Sequence, residues 1–236
     1  MDNIQRMSIF NRLKTASRAR SDRLKAGDIT TPDGRRRARA FMLWYDHEFV
    51  RIPWSNLAQV APGVWRSNQP THARLARLKD RLGLKTVLFL RGQMLEPPRL
   101  FEEESCAELG LDLVIVPLAA RNAPERQSLL DLIAAFRRIE KPFLMHCKSG
   151  ADRASLASAV YLLAIEGAPV SRARRMLSLR FVHLKWTKTG IIDAFLDAYE
   201  TAQKASGVGF EAWVENTYDA EALQRAFDAK RRGGTA

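Results

Sequence analysis

At 236 residues, 46% hydrophobic and 27% charged, the chain can bury one substantial core with a small extension. No run of 18 or more apolar residues is present, which argues against a membrane-spanning helix, and two cysteines rule out a disulfide-stapled scaffold. The formal charge of +12 is uneven: residues 1–40 hold 11 Lys/Arg against 4 Asp/Glu, and residues 171–188 hold 6 Lys/Arg and no acid. Such clusters attract acidic lipid surfaces or phosphorylated ligands, and no base-reading or aromatic-interleaved patch favours nucleic acid.

In chain order, Ile4, Met7, Phe10 and Leu13 recur every three residues among Arg6, Arg12 and Lys14, the pattern of a short basic amphipathic helix. Charges interrupt Met1 to Lys25, so no secretory leader is expected. A turn-rich break at 26–34 precedes a second helical pattern from Arg35 to Phe49. Residues 1–55 thus read as a basic helical extension that docks on its own domain or on an anionic membrane. A strand at 63–67, a helix at 71–82, a strand at 85–90, a helix at 98–110, a strand at 111–117 and a helix at 125–139 follow. Beyond residue 154 the chain reads as helical, at about 154–167, 171–179, 188–202 and 209–230, with a frayed basic tail. The alternation predicts an α/β fold: a central, mostly parallel sheet of about four to five strands, helices on both faces, and a helical C-terminal part. The expected boundaries are 56–202 for this domain and 203–236 for a C-terminal helical extension.

The segment that names a chemistry is His146-Cys147-Lys148-Ser149-Gly150-Ala151-Asp152-Arg153. The apolar strand Pro142–Met145 leads into it, and a helix starts after it. A strand–loop–helix passage aims backbone N–H groups at one centre beside a helix N-terminus, which favours an anion and the thiolate form of Cys147. Arg153 can fork two hydrogen bonds to phosphate oxygens. The other reading of these residues, a small buried cysteine and a surface arginine, leaves the strand–loop–helix context unexplained.

This H-C-x5-R loop resembles the signature of the cysteine-dependent phosphatases, the tyrosine and dual-specificity superfamily, with weaker support from Val64-Trp65-Arg66-Ser67 and Thr86–Arg91. The resemblance implies a phosphomonoesterase whose Cys147 is the nucleophile and passes through a phosphocysteine. It implies that Arg153 and the loop of Lys148, Ser149, Gly150 and Ala151 bind phosphate, and that His146 supports the thiolate by orienting the loop. No cofactor and no metal are expected: His47, His72 and His183 lack ligand spacing. His183, inside the basic 180–188 segment, reads as a packed or surface histidine, with substrate contact as the alternative. Cys106 reads as core packing on a helix, with a protective disulfide to Cys147 as the alternative.

Two departures from the superfamily matter. Its usual acid, an aspartate some thirty residues before the cysteine, is missing; Ala120 falls near that place, and Glu125 sits at a helix start. Myotubularin lipid phosphatases have a similar C-x-x-G-x-D-R loop, which makes Asp152 the preferred acid, since the charge of a bound phosphoryl group favours a protonated carboxyl beside it. The alternatives are Glu125, water or a substrate group, a binding-only relative, and a plain capping role for Asp152. Ala154 replaces the usual Ser or Thr whose hydroxyl helps the thiolate leave, and Ser155 lies on another helical face. Lys148 resembles the loop lysine of phosphoinositide-type phosphatases. The substrate is expected to be a phosphoprotein or an anionic lipid phosphate such as phosphatidylglycerophosphate or a phosphoinositide. The expected location is cytoplasmic, with peripheral contact at the inner face of a membrane, and a phosphate-binding adaptor is the alternative function.

Overall fold

The computed structural model describes residues 28–92 and 95–233. The amphipathic pattern at 4–13 lies outside them. The chain divides into two compact units, Met1–Trp54 with Met94–Ser105, and Ser55–Gln93 with Cys106–Ala236.

In the first unit, α1 (Pro32–Ala40) starts with Pro32 in its first turn and a cap in which Thr31 Oγ1 accepts from Gly34 N at 3.1 Å. The single helix expected at 35–49 is broken. A π-helical turn, Phe41–Tyr45, follows α1, and His47 takes a left-handed φ of 56° before α2 (Glu48–Arg51). The break lets Arg51 fold back on Asp46 at 2.7 Å, a buried pair that a continuous helix would separate. Ala38, Met42 and Phe101 form a small core, with Arg39 over the Phe101 ring at 4.1 Å. Arg35 forks onto Glu104 at 2.6 and 2.8 Å.

The second unit is built on a five-stranded sheet of order β1-β2-β5-β3-β4: β1 (Ala58–Ala61), β2 (Val64–Asn68), β3 (Thr86–Phe89), β4 (Asp112–Ile115) and β5 (Phe143–Cys147). Only β1–β2 is antiparallel. The mostly parallel sheet matches the sequence expectation. The β1 strand went unseen there because Ala-Gln-Val-Ala is short and poor in strand formers. The turn at Pro62-Gly63 closes the hairpin, which carries a bulge.

Helices cover both faces. Side chains alternate along β5: Phe143, Met145 and Cys147 face the larger core and Leu144 faces the smaller one. The larger core is roofed by α5 (Arg126–Arg138), α6 (Arg153–Ala164), α8 (Ile191–Ser206) and α9 (Phe210–Asn216). The smaller one is covered by α3 (His72–Leu82) and the end of α4 (Pro97–Leu109), which carries Cys106. Cys106 and Cys147 are not joined in a disulfide and belong to different core clusters. Every residue of α6 from Ala154 to Leu163 is buried, as befits a helix apolar on all sides.

The C-terminal helical pattern is cut differently from the sequence reading. The helix expected at 171–179 shortens to α7 (Val170–Arg174), and the 209–230 pattern splits into α9 and α10 (Ala220–Gly233). Tyr218 causes that split. Its buried hydroxyl donates to Pro124 O at 2.7 Å, which draws the chain inward between the helices. Phe210, Trp213, Val214 and Tyr218 thereby join the larger core. The basic tail, expected to fray, is helical through Gly233.

Candidate active site

The central strand β5 ends at Cys147, and α6 begins at Arg153, so the intervening loop stands at the carboxyl edge of the sheet, ahead of a helix N-terminus. Every member of the sequence-derived motif is brought together there. Cys147 is buried at 2% exposure, and His146 is fully buried, its ring edge-on to Phe89 at 5.4 Å. Lys148, Ser149, Asp152 and Arg153 are half-buried. Gly150 has φ 72°, and a Cβ there would lie 2.7 Å from Ser67 O and 2.8 Å from Asn68 N. Both the handedness and the close approach to β2 require glycine.

Beneath the loop lies a residue whose role the sequence did not reveal. Arg66 on β2 is fully buried. Its Nη2 donates to Gly150 O and, at 3.0 Å, to Ser155 Oγ; its Nη1 donates to Met176 O at 3.1 Å. The guanidinium also lies 3.9 Å from the centre of the Phe181 ring. Burial lowers its pKa to about 10, against the opposing pull of Cys147 and Asp152, so it remains a cation at neutral pH and holds positive charge under the loop. The only hint in the sequence was an arginine inside an otherwise strand-like Val-Trp-Arg-Ser-Asn run. Asn56 adds a brace, donating to Ser149 O at 3.2 Å and Phe181 O at 3.1 Å.

The inner residues of the motif take specific positions. Asp152 is the N-cap of α6 yet makes no side-chain cap hydrogen bond; its carboxylate turns instead to His183. As an imidazolium, His183 donates from Nδ1 to Asp152 Oδ1 at 2.8 Å and from Nε2 to Asp193 Oδ2 at 2.7 Å. Its side chain is fully buried. Burial opposes its charge, but the hydrogen bonds it donates to the two carboxylates prevail and raise its pKa to about 9. Of the readings open from sequence, packed, surface or substrate-contacting, the structure shows a packed histidine that is also ion-paired, and Asp193 had no local signal at all. Ser155 Oγ donates to Ala151 O and accepts from Arg66, so its hydroxyl is committed within the loop. Glu125 is exposed at the N-cap of α5.

The His183 segment is held tightly. Gly190 permits the turn, since a Cβ there would lie 1.9 Å from Lys185 O. A cavity of about 330 Å³ opens beside Asp152, with Arg121 and Lys188 in its lining. Among the described residues, no His/Cys/Asp/Glu group is arranged to hold a metal ion, and no helix is long and apolar enough to cross a membrane.

The His183 charge makes stability depend on pH. A raised histidine pKa contributes stability that is complete below the ordinary value of 6.5 and lost as pH rises through about 9. Denaturant midpoints measured from pH 6 to 10 are expected to decline across that window by roughly 3 kcal/mol in unfolding free energy, and His183→Gln should flatten the decline. An identical slope in the variant would refute the assignment.

The model of a family described as DSP-PTPase phosphatase fused to NAD+ kinase matches residues 55–188. The dual specificity protein phosphatase TpbA of Pseudomonas aeruginosa is 31% identical over 120 residues, 49% of this chain and 50% of TpbA. The chain thus aligns with about half the length of that curated relative. The TpbA crystal structure superposes with a TM-score of 0.50 and 22% identity, covering 75% of this chain and 92% of TpbA. A putative phosphatase from Shewanella putrefaciens superposes with a TM-score of 0.50 and 21% identity, covering 61% of this chain and 92% of that one. These likenesses show a shared fold. Because the family model spans more than half of the residues and takes in the whole Cys147–Arg153 loop, the chain belongs to the DSP-PTPase family of cysteine-dependent phosphatases, which are phosphoric monoester hydrolases.

Proposed function

We propose that this protein hydrolyses phosphomonoesters through a phosphocysteine formed on Cys147. The observation that carries this reading is the loop itself: a buried cysteine at the strand end, a passage straight into the N-terminus of α6, and a buried Arg66 cation fastened to the loop's Gly150 carbonyl. Cys147 Sγ attacks phosphorus, the P–O bond to the leaving group breaks, and the amides of residues 148–153 with Arg153 hold the equatorial oxygens. Water then attacks the phosphocysteine, returning the thiolate and inorganic phosphate.

The second step is the slow one in this reading. Ala154 offers no hydroxyl, and the Ser155 hydroxyl is committed to Ala151 and Arg66. A phosphorylated form of the protein is expected to accumulate on mixing with an aryl phosphate and to appear in the intact mass. Ala154→Ser is expected to speed its breakdown roughly tenfold, the worth of one hydrogen bond to a charged group. Failure to detect any phosphorylated species in rapid-quench samples would count against a slow second step.

For the substrate, the surface beside the loop favours a phosphomonoester carried on an anionic membrane. Leu179 and Trp186 are each 65% exposed and Val182 is 48% exposed, interleaved with Arg180, Lys185 and Lys188. Exposed Trp and Leu among cations suit a lipid–water interface better than water alone. The same stretch carries His183, bonded to Asp152, so an interface contact there would bring a lipid phosphate towards the loop. The test is a panel of phosphorylated lipids in anionic vesicles, phosphopeptides and soluble aryl phosphate. Trp186→Ala with Leu179→Ser is expected to lower turnover on vesicles at least about tenfold while sparing the soluble substrate. Preference for phosphopeptides, unchanged by the double variant, would instead support a protein phosphatase.

A further inference from the structure

We propose that His183 is a positioning residue of the reaction and supplies, through Asp152, the proton taken up by the leaving oxygen. The inference rests on the phosphocysteine reading above. It stands on a three-residue chain centred on a buried histidine, Asp193–His183–Asp152, with contacts of 2.7 and 2.8 Å, that joins α8 to the start of α6. The Asp152 side chain is 23% exposed and lines the cavity beside the loop. The Asp193 side chain is 20% exposed, so the enclosed member is His183, held between two carboxylates that both reach solvent.

The arrangement explains how an aspartate next to a phosphate loop can act as an acid while bonded to a cation. An imidazolium beside a carboxylate holds the same number of protons as an imidazole beside a carboxylic acid. As the P–O bond breaks, Asp152 gives a proton to the leaving oxygen and the Nδ1 proton of His183 passes to Asp152 Oδ1. The products are the alcohol, the phosphocysteine, the Asp152 carboxylate and neutral His183, whose remaining Nε2–H still donates to Asp193. In the second step the attacking water loses a proton along the same route in reverse, and the imidazolium is restored. Charge and protons balance in both steps.

The charged groups placed about this chain fit such a role. Asp193 on α8 holds the ring from behind, and Arg66 on β2 exerts its field on Asp152 from below. Arg121, in the loop after β4, and Lys188, on the 3-10 turn Lys188–Gly190, share the cavity with Asp152. A pKa raised to about 9 keeps the reservoir filled at neutral pH. The backbone helps to fix it, because Val182, with φ 61°, turns the chain so that the next side chain, His183, points inward.

The test compares wild type, His183→Gln and Asp193→Asn on esters of graded leaving-group basicity. A nitrophenolate leaves without a proton, whereas an alkoxide does not. His183→Gln is expected to lose roughly a hundredfold in kcat/KM on an alkyl phosphate and no more than about threefold on p-nitrophenyl phosphate. The alkaline limb of its kcat/KM profile should also move to lower pH. Asp193→Asn, which keeps the packing, should shift the limb in the same direction by less. Equal losses on both esters, or an unmoved limb, would reduce His183 to a structural pair. If His183→Gln does not fold, Asp193→Asn and nitrogen NMR of the labelled wild-type ring decide: the ring should be imidazolium in the free enzyme and neutral in the phosphorylated one. A ring that stays charged in both overturns the relay. Cys147→Ser run alongside separates the two readings, since activity surviving in that variant would sink the nucleophile assignment rather than the relay alone.

Discussion

Cys147→Ser is expected to lower p-nitrophenyl phosphate turnover by roughly four orders of magnitude or more, the usual cost of removing a covalent nucleophile. The serine hydroxyl is neutral at working pH and far less nucleophilic than a thiolate, so the P–S bond-forming step has no substitute. Binding should survive, because the oxyanion cradle is backbone and Arg153 is untouched. The measurement is steady-state hydrolysis paired with calorimetric titration of inorganic phosphate or vanadate. Residual turnover above about one hundredth of wild type would place the nucleophile elsewhere. Loss of anion binding together with turnover would indicate a collapsed loop. In that case alkylation of wild-type Cys147, and its protection by phosphate, remains as the independent check.

Arg66→Met is expected to be the most damaging change outside the loop. The guanidinium is fully buried and serves the carbonyls of Gly150 and Met176 and the hydroxyl of Ser155. Methionine fills part of the volume but leaves those buried acceptors without their donor. Loss of one partner from a buried charged network costs about 3–5 kcal/mol. Activity should drop as well, by about a hundredfold in kcat/KM, since the loop loses its tether and Cys147 loses a nearby cation. Arg66→Lys should rescue neither property well, because one ammonium cannot reproduce a planar fork spread over three acceptors. Urea unfolding and kcat/KM for the two variants check this. A variant that keeps wild-type stability and rate would remove Arg66 from the site.

Much of the fold was legible because each strand and helix carries its own periodicity. The continuous apolar run before His146 could only be a strand buried on both faces, and it is the central one, β5. The motif was legible for a related reason. Eight consecutive residues hold the cysteine, the loop and the arginine on which the proposed chemistry rests, and Gly150 marks a place where the loop must pass against β2. Elements failed where a long-range contact overrode a local pattern. The buried Arg51–Asp46 pair accompanies the break in the 35–49 helix, and the Tyr218–Pro124 hydrogen bond splits the C-terminal one. The hairpin strand β1 failed for want of strand-forming residues.

The residues of the signature loop, the alternation of strands and helices, and the position of that loop at the carboxyl end of a central strand were therefore readable from the chain alone. Only the tertiary structure decided what surrounds that chemistry. Arg66 meets Gly150 across 84 residues, and His183 meets Asp152 across 31. Periodicity tells which face of an element is apolar, but not which polar group on another element will meet it. A buried charge is tolerable only beside its partner, and the partner is chosen when the layers stack. That is why Asp152 looked like a cap or a lone acid in the sequence, and in the folded protein is the partner of a buried, charged histidine.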